Sequence, residues 1–126
     1  MRVMLVDTNI TFRENLCEKI KGKGLEVLMA DTADEALDLL ADKDIDVTVL
    51  NMKELKINGI HLLSRIKEVR PYTEVVLLTT PSLIHLSIEG MKLGAFDDLL
   101  MPPDIGDLQR MIIEAGTKKK EKEDLA

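Results

Sequence analysis

Three side chains that could take part in phosphoryl or cation chemistry directly follow short apolar segments of the chain: Asp7, Asn51 and Thr79. A carboxylate can hold a divalent cation or attack phosphorus, and a hydroxyl can bind phosphoryl oxygens. The amide of Asn51 is neutral and a poor nucleophile. If the apolar segments are parallel strands, these side chains meet Met101 at one edge of a sheet, where such sheets bind ligands.

The elements that position these residues are predicted by apolar runs alternating with amphipathic segments. Five runs predict strands at Val3–Val6, Leu25–Met29, Val47–Leu50, Val75–Leu78 and Phe96–Met101. Between and after them, apolar residues spaced by three or four predict helices with these faces: Phe12, Leu16 and Ile20; Ala33, Ala36, Leu37, Leu40 and Ala41; Ile60 to Val69; Ile84, Ile88 and Met91; Ile105, Leu108, Met111, Ile112 and Ala115. Five strand–helix pairs predict an α/β fold, a doubly wound parallel five-stranded sheet in a three-layer αβα sandwich.

Local signals mark several boundaries of these elements. Thr32 and Glu35 form a predicted capping box at the start of a helix. Asn58-Gly59 is a turn-type dipeptide and predicts a loop before the helix at Ile60. The last helix is predicted to start near Asp104 and to fray beyond Gly116.

Composition restricts the class of protein. The 126 residues suit one domain, and the net charge of −6 with 2% aromatic residues argues against a nucleic-acid surface. We interpret the lysines at 19, 21 and 23 and the tail KKKEKEDLA as solvated helix ends. One cysteine excludes an internal disulfide, and no segment approaches the roughly 20 apolar residues of a membrane span. These features predict a cytoplasmic protein that does not bind a membrane.

Four segments carry a family resemblance: MLVDTN, DVTVLNMKELKING with Gly59 eight residues after Asn51, VVLLTT, and MKLGAFDDLLMPPD. Together they resemble the receiver domains of bacterial two-component response regulators, most closely receivers joined to AAA+ transcription activators. The resemblance implies a flavodoxin-like (βα)5 fold, with residues 1–116 as the receiver-like domain and residues 117–126 as a charged C-terminal tail.

The resemblance also implies roles for the strand-end residues. In the family, two acids after the first strand and an aspartate after the third hold Mg²⁺, and that aspartate accepts a phosphoryl group from a histidine kinase. A hydroxyl after the fourth strand and a lysine after the fifth bind the phosphoryl oxygens. Asp7 matches the first acid and Thr79 the switch hydroxyl. Without those roles, Asp7 would be a turn residue that accepts backbone amides, and Thr79 an ordinary strand-end hydroxyl.

At the other positions the chain departs from the family. Thr8 replaces the second acid, Asn51 the phosphoacceptor, Met101 the lysine, Leu55 the proline of the third loop, and Asp98 the aromatic switch residue. The resemblance then implies a degenerate receiver, or pseudo-receiver, with no catalytic residue, no resident metal, and weak binding of Mg²⁺ at most.

The leading hypothesis is a phosphorylation-independent interaction module. Its expected partners are a histidine kinase, an output domain or another regulator, and the family pairs into homodimers through the fourth helix, fifth strand and fifth helix. Those elements map to about 83–93, 96–101 and 104–115 in this chain.

A second hypothesis is a phosphotransferase of the haloacid-dehalogenase type. Asp7-Thr-Asn-Ile-Thr11 differs by one residue from that family's aspartate motif, with Thr79 as its hydroxyl and Asp97-Asp98 as its late acids. Asn9 in place of the second aspartate argues against it. The histidines, His61 and His85, lie on different predicted helices without a second metal ligand at suitable spacing.

Overall fold

A computed structural model describes residues 1–22 and 24–126 of the protein; Lys23, one of the lysines interpreted as solvated, lies outside the described residues. Five parallel strands form one sheet in the order β2-β1-β3-β4-β5. Their bounds are β1 Arg2–Val6, β2 Glu26–Ala30, β3 Val47–Asn51, β4 Glu74–Thr79 and β5 Asp97–Leu100. The helices are α1 Ile10–Ile20, α2 Ala33–Asp42, α3 Met52–Leu55, α4 Ile57–Val69, α5 Ile84–Lys92 and α6 Ile105–Leu125, and a 3-10 turn covers Pro81–Leu83.

Strand side chains alternate between two apolar clusters, one on each face of the sheet. On one face Met4, Val6 and Leu50 pack with residues of α2, α3, α4 and α5. On the other face Leu5 and Val49 pack with residues of α1 and α6. The predicted fold class, a doubly wound parallel sheet between two layers of helices, is confirmed.

The dipeptide Asn58-Gly59 was expected in a loop, and this prediction is wrong. Both residues lie inside α4, which begins at Ile57 and is preceded by the one-turn helix α3. A Cβ atom at Gly59 would stand 2.6 Å from the Met52 sulfur and 3.2 Å from Leu55 Cβ. Gly59 therefore allows α4 to pack closely against α3 and is not part of a turn.

The apolar stripe expected to anchor α5 points outward. Ile84, Ile88 and Met91 are exposed, whereas Ser87 and Gly90 face the sheet. A Cβ atom at Gly90 would stand 2.6 Å from Leu77 Cδ1 of β4. At Gly90 the helix lies so close to the sheet that only a small residue fits, and Leu86 is the large apolar residue of α5 that packs into the core.

The last helix does not fray at Gly116, as the sequence suggested, but continues to Leu125. Lys119, expected to be solvated, is 3% exposed and contacts Asp44, Asp46 and Glu123 within 3.2 Å. These contacts fasten the end of α6 to the amino-terminal edge of the sheet. The division of the chain at residue 116 stays a prediction.

Candidate functional site

Asp7 and Asn51 meet at the carboxyl edge of the sheet. Val6 and Leu50 are paired in the β1–β3 ladder, so the next residue of each strand emerges beside the other. Both side chains are 3% exposed. The Nδ2 atom of Asn51 donates a hydrogen bond of 2.8 Å to Oδ2 of Asp7. The centre of the crevice is therefore a buried amide–carboxylate pair.

The outer atoms of this pair are held by backbone amides. Asp7 Oδ1 accepts the N–H of Asn9 at 2.8 Å, the turn arrangement considered for Asp7 from the sequence. Asn51 Oδ1 accepts the N–H of Lys53 at 3.1 Å and so caps α3. Both carboxylate oxygens of Asp7 are thus occupied by donors from the chain itself.

A small cavity of about 10 Å³ lies next to the pair, lined by Asp7, Asn51, Arg13 and apolar residues. A space of this size holds about one water molecule. The guanidinium Nη1 of Arg13 donates to the main-chain oxygen of Asp7 at 2.8 Å and to Asp31 Oδ1 at 3.0 Å. The sequence pattern does not single out Arg13, although its place one helical turn after Asn9 aims its side chain at this edge.

The residues at this edge do not fit the divalent cation site of the family. Mg²⁺ requires several charged oxygens in octahedral geometry, whereas both carboxylate oxygens of Asp7 are engaged by donors of the chain and Asp31 is paired with Arg13. Thr8 is exposed and lines a separate groove with Leu55, His61 and Arg65. Across residues 1–22 and 24–126, no cluster of three or more His, Cys, Asp or Glu side chains could hold a metal ion.

Thr79 is buried at the end of β4, two strands away from β1. Its Oγ1 accepts a hydrogen bond of 3.0 Å from the hydroxyl of Ser87 in α5 and lies 3.4 Å from the main-chain oxygen of Thr80. Ser87, which the sequence argument also missed, lies on the inner face of α5 three residues before Gly90. The hydroxyl pair joins the strand end to this helix.

The last two positions that the resemblance identified lie around β5. Met101 is half-buried and packs into the apolar cluster that contains Leu78 and Leu108, and its N–H donates to Thr79 O at 2.9 Å. Asp98 lines a depression together with Thr79 and two acids of the α6 amino terminus, Asp104 and Asp107. The side chain of Met101 thus supplies an apolar surface instead of a cation.

The acids required by the haloacid-dehalogenase hypothesis do not converge. Asp97 and Asp98 lie on β5, which β3 and β4 separate from β1. Three strand spacings place them roughly 14 Å from Asp7. The geometry therefore provides no second acid for Asp7, and nothing in the site favours this hypothesis.

The remaining reactive side chains stand apart from the crevice. Burial raises the pKa of the Cys17 thiol, with Glu18 adding to the effect, so the nucleophilic thiolate is disfavoured. His61 on α4 and His85 on α5 are both exposed. These residues are not part of the site.

A parallel sheet in the order β2-β1-β3-β4-β5, with helices on both faces and polar side chains at its carboxyl edge, defines a flavodoxin-like α/β domain. More specifically, the chain belongs to the response regulator receiver domain family, which its residues 3–113 match. A receiver domain protein from Clostridium thermocellum has 31% sequence identity and a TM-score of 0.87, covering 94% of this chain and 96% of that one.

Two curated relatives are named as regulators of transcription. The transcriptional regulatory protein ZraR of Klebsiella oxytoca is 29% identical over 113 residues, which are 90% of this chain and 26% of ZraR. The DNA-binding transcriptional regulator NtrC of Klebsiella pneumoniae is 29% identical over 111 residues, 88% of this chain and 24% of NtrC. The chain thus spans about a quarter of the length of these relatives. None of the described helices is both long and apolar enough to cross a membrane.

Proposed function

We propose that this receiver domain is degenerate and acts as a phosphorylation-independent protein-interaction module. The observation that carries the proposal is the buried hydrogen bond of 2.8 Å from Asn51 to Asp7. Asn51 occupies the family's phosphoacceptor position, and an amide there forms no acyl phosphate because it is neutral and weakly nucleophilic. The domain itself performs no catalysis.

The same hydrogen bonds support weak binding of Mg²⁺ at most. A cation at Asp7 would have to displace the amide of Asn51 and the N–H of Asn9 while gaining only one carboxylate. Met101 in place of the family's lysine likewise removes the charge that would neutralise a phosphoryl group. Relative to the family, the pocket therefore lacks both the lysine that binds a phosphoryl group and all but one of the carboxylates that bind Mg²⁺.

The surface that remains for partners comprises α5, β5 and α6, which we call the α5–β5–α6 face. It corresponds to the fourth helix, fifth strand and fifth helix of the family numbering. Ile84 is 63% exposed, Ile88 52% and Leu100 57%. Exposed large apolar side chains grouped on one side of a domain are typical of protein interaction sites.

We further propose that the chain transmits a cytoplasmic signal to transcription through a histidine kinase, an output domain or another regulator. The similarity to ZraR and NtrC, both named as transcriptional regulators, supports this role. The net charge of −6 and the scarcity of aromatic residues favour protein partners over direct contact with nucleic acid or a membrane.

The decisive experiment adds Mg²⁺ and beryllium fluoride, a mimic of the acyl phosphate, to ¹⁵N-labelled protein. We expect the amides near Asp7, Asn51 and Thr79 to keep their chemical shifts up to millimolar ligand. Saturable shifts at those residues would refute the claim of an inert pocket. A receiver that retains its aspartate serves as the positive control under the same conditions.

A second experiment tests whether Asn51 alone blocks the reaction. We expect Asn51→Asp to remain poorly labelled by acetyl phosphate, because Thr8 and Met101 still lack the second acid and the cation. The triple variant Thr8→Asp, Asn51→Asp, Met101→Lys is the matched control and should label measurably. Robust labelling of the single variant contradicts this account of the pocket.

A further inference from the structure

The α5–β5–α6 face contains a depression of about 470 Å³ with apolar and acidic parts. Thr79, Leu99, Leu100 and Pro102 contribute to its lining, together with the carboxylates of Asp98, Asp104 and Asp107. Because Ser87 of α5 is hydrogen-bonded to Thr79, α5 borders this depression. On its outer side this helix presents the exposed apolar stripe of Ile84, Ile88 and Met91.

The charge of this face is strongly one-sided. Residues 84–114, which contain α5, β5 and the first half of α6, carry six carboxylates against two cations, Lys92 and Arg110, a net charge of −4. The lysines of α6 all lie in its second half, which is fastened to the amino ends of the strands. Arg110 is already paired with Asp107 at 3.1 Å. The face is therefore apolar along α5 and anionic at the depression lined by Asp98, Asp104 and Asp107.

Resting on the proposed function, we infer that the partner docked on this face is a cationic amphipathic helix of another protein. The stripe at i, i+4 and i+7 of α5 has the spacing into which a second helix packs its own ridges. Lysine or arginine side chains flanking the partner's apolar stripe would meet Asp98, Asp104 and Asp107. The edge strand β5 has four residues, near the lower limit of ordinary strand lengths, so it offers an added strand few backbone hydrogen bonds.

The same charges disfavour a second copy of this chain. A two-fold dimer through this face would place the same patch against itself, so that two clusters of excess carboxylates meet. Like charges opposed across an interface suppress that pairing. Among the partners considered from the sequence, the homodimer is thus the one that this face fits least.

The test uses three synthetic 15-residue helical peptides titrated into the ¹⁵N-labelled chain. The first has leucines at i, i+3, i+4 and i+7 with lysines on the remaining positions; the second replaces each lysine by glutamate; the third replaces each leucine by serine. We expect saturable shifts in α5, β5 and the start of α6 with the first peptide alone, weakened by raising the salt concentration.

Two sets of charge variants locate the site. Asp98→Asn, Asp104→Asn, Asp107→Asn together should weaken the first peptide about tenfold, while Asn at 104 can still cap α6. The control Asp34→Asn, Asp38→Asn, Asp42→Asn removes the same charge from α2, whose large apolar side chains are not exposed, and should leave affinity unchanged. Ile88→Ser tests the apolar half in a side chain that is 52% exposed.

Several outcomes overturn the inference. Equal binding of the glutamate or serine peptide, shifts centred on α2 or α4, equal effects of the two triple variants, or dimerisation of the chain through α5 in sedimentation would each contradict it. Failure here leaves the proposed function standing, because that proposal depends on the response of Asp7, Asn51 and Thr79 to beryllium fluoride, which the same spectra report separately.

Discussion

In the proposed degenerate receiver, the residues at positions 51 and 101 compensate one another electrostatically. With an amide at position 51, a lysine at position 101 would lie in a low-dielectric pocket without its carboxylate partner, which is strongly unfavourable. Met101 removes that cation and packs against apolar neighbours. The two carboxylate oxygens of Asp7 accept hydrogen bonds from the N–H of Asn9 and from the amide of Asn51. The polar side-chain atoms of Asp7 and Asn51 all have hydrogen-bond partners within the chain.

Moving the carboxylate from position 7 to position 51 tests the electrostatic balance between Asp7 and Asn51. Asn51→Asp removes the donor and opposes two buried carboxylates, so we expect a loss of about 2 kcal/mol in the free energy of unfolding at pH 7 without divalent cations. The exchange Asp7→Asn, Asn51→Asp restores one donor and one carboxylate and should recover at least half of the loss. Urea unfolding of the three proteins provides the measurement.

The pH dependence of Asn51→Asp identifies the cause. Two adjacent buried carboxyls share a proton, so the pair has a raised pKa in the folded state and binds more protons folded than unfolded. Its stability relative to the native sequence should therefore fall as the pH rises from about 4, the ordinary carboxyl value, through the raised value. A deficit that stays constant from pH 4 to pH 7 would indicate lost packing instead of charge repulsion.

At the scale of elements, the sequence predicts which strands and helices exist, and in what order, better than it predicts which face of a helix is buried. The central strands β1, β3 and β4 are buried on both faces and therefore have a continuous apolar pattern, whereas the edge strands β2 and β5 are partly exposed. The same logic fails for α5, where Ile84, Ile88 and Met91 are exposed and do not form a core face. It also fails for Asn58-Gly59, since the need for close packing against Met52 is invisible to a local turn signal. Both errors concern tertiary contacts that local patterns do not encode.

The glycine in α5 gives a prediction at this scale. In an exposed helix interior Gly→Ala stabilises by about 1 kcal/mol. At Gly90 we expect the opposite sign, a loss of about 1–2 kcal/mol, because the new Cβ would stand 2.6 Å from Leu77 Cδ1 in the core. Thermal unfolding monitored by circular dichroism measures the change.

Leu77→Val is the control for that prediction, because valine lacks the δ carbon that the alanine would meet. The double variant should lose less stability than the sum of the two single variants. Additive losses would show that Gly90 matters for backbone geometry and not for its distance to Leu77.

At the scale of the molecule, α6 runs from the carboxyl ends of the strands to their amino ends. Its 21 residues span about 31 Å, whereas a five-residue strand spans about 17 Å. Asp104 caps it beside the α5–β5–α6 depression, and Lys119 and Lys122 fasten its other end to acids at the amino edge. The sequence argument missed this connection because the tail KKKEKEDLA has the charge pattern of a solvated helix end.

Lys119→Met should separate the end of α6 from the body of the domain. The cation is 3% exposed among Asp44, Asp46 and Glu123, and removing it leaves these carboxylates opposed, so we expect a loss of about 1–3 kcal/mol in unfolding free energy. Hydrogen exchange of residues 117–125 should accelerate in this variant. Lys120→Met changes an exposed neighbour on the same helix and should leave both measurements unchanged.

The dependence of the unfolding free energy on pH in the alkaline range distinguishes an ionic role of Lys119 from simple packing. Burial opposes its charge, but hydrogen bonds to Asp44, Asp46 and Glu123 outweigh burial and raise its pKa. Its contribution is therefore complete below about pH 10.4, the ordinary lysine value, and is lost as the pH rises through the raised value. Burial lowers the pKa of Lys67, which gives the opposite slope, but that effect is common to the native chain and to Lys119→Met. The stability difference between these two proteins should thus shrink above about pH 10.4, and a difference that persists unchanged would assign Lys119 a packing role alone.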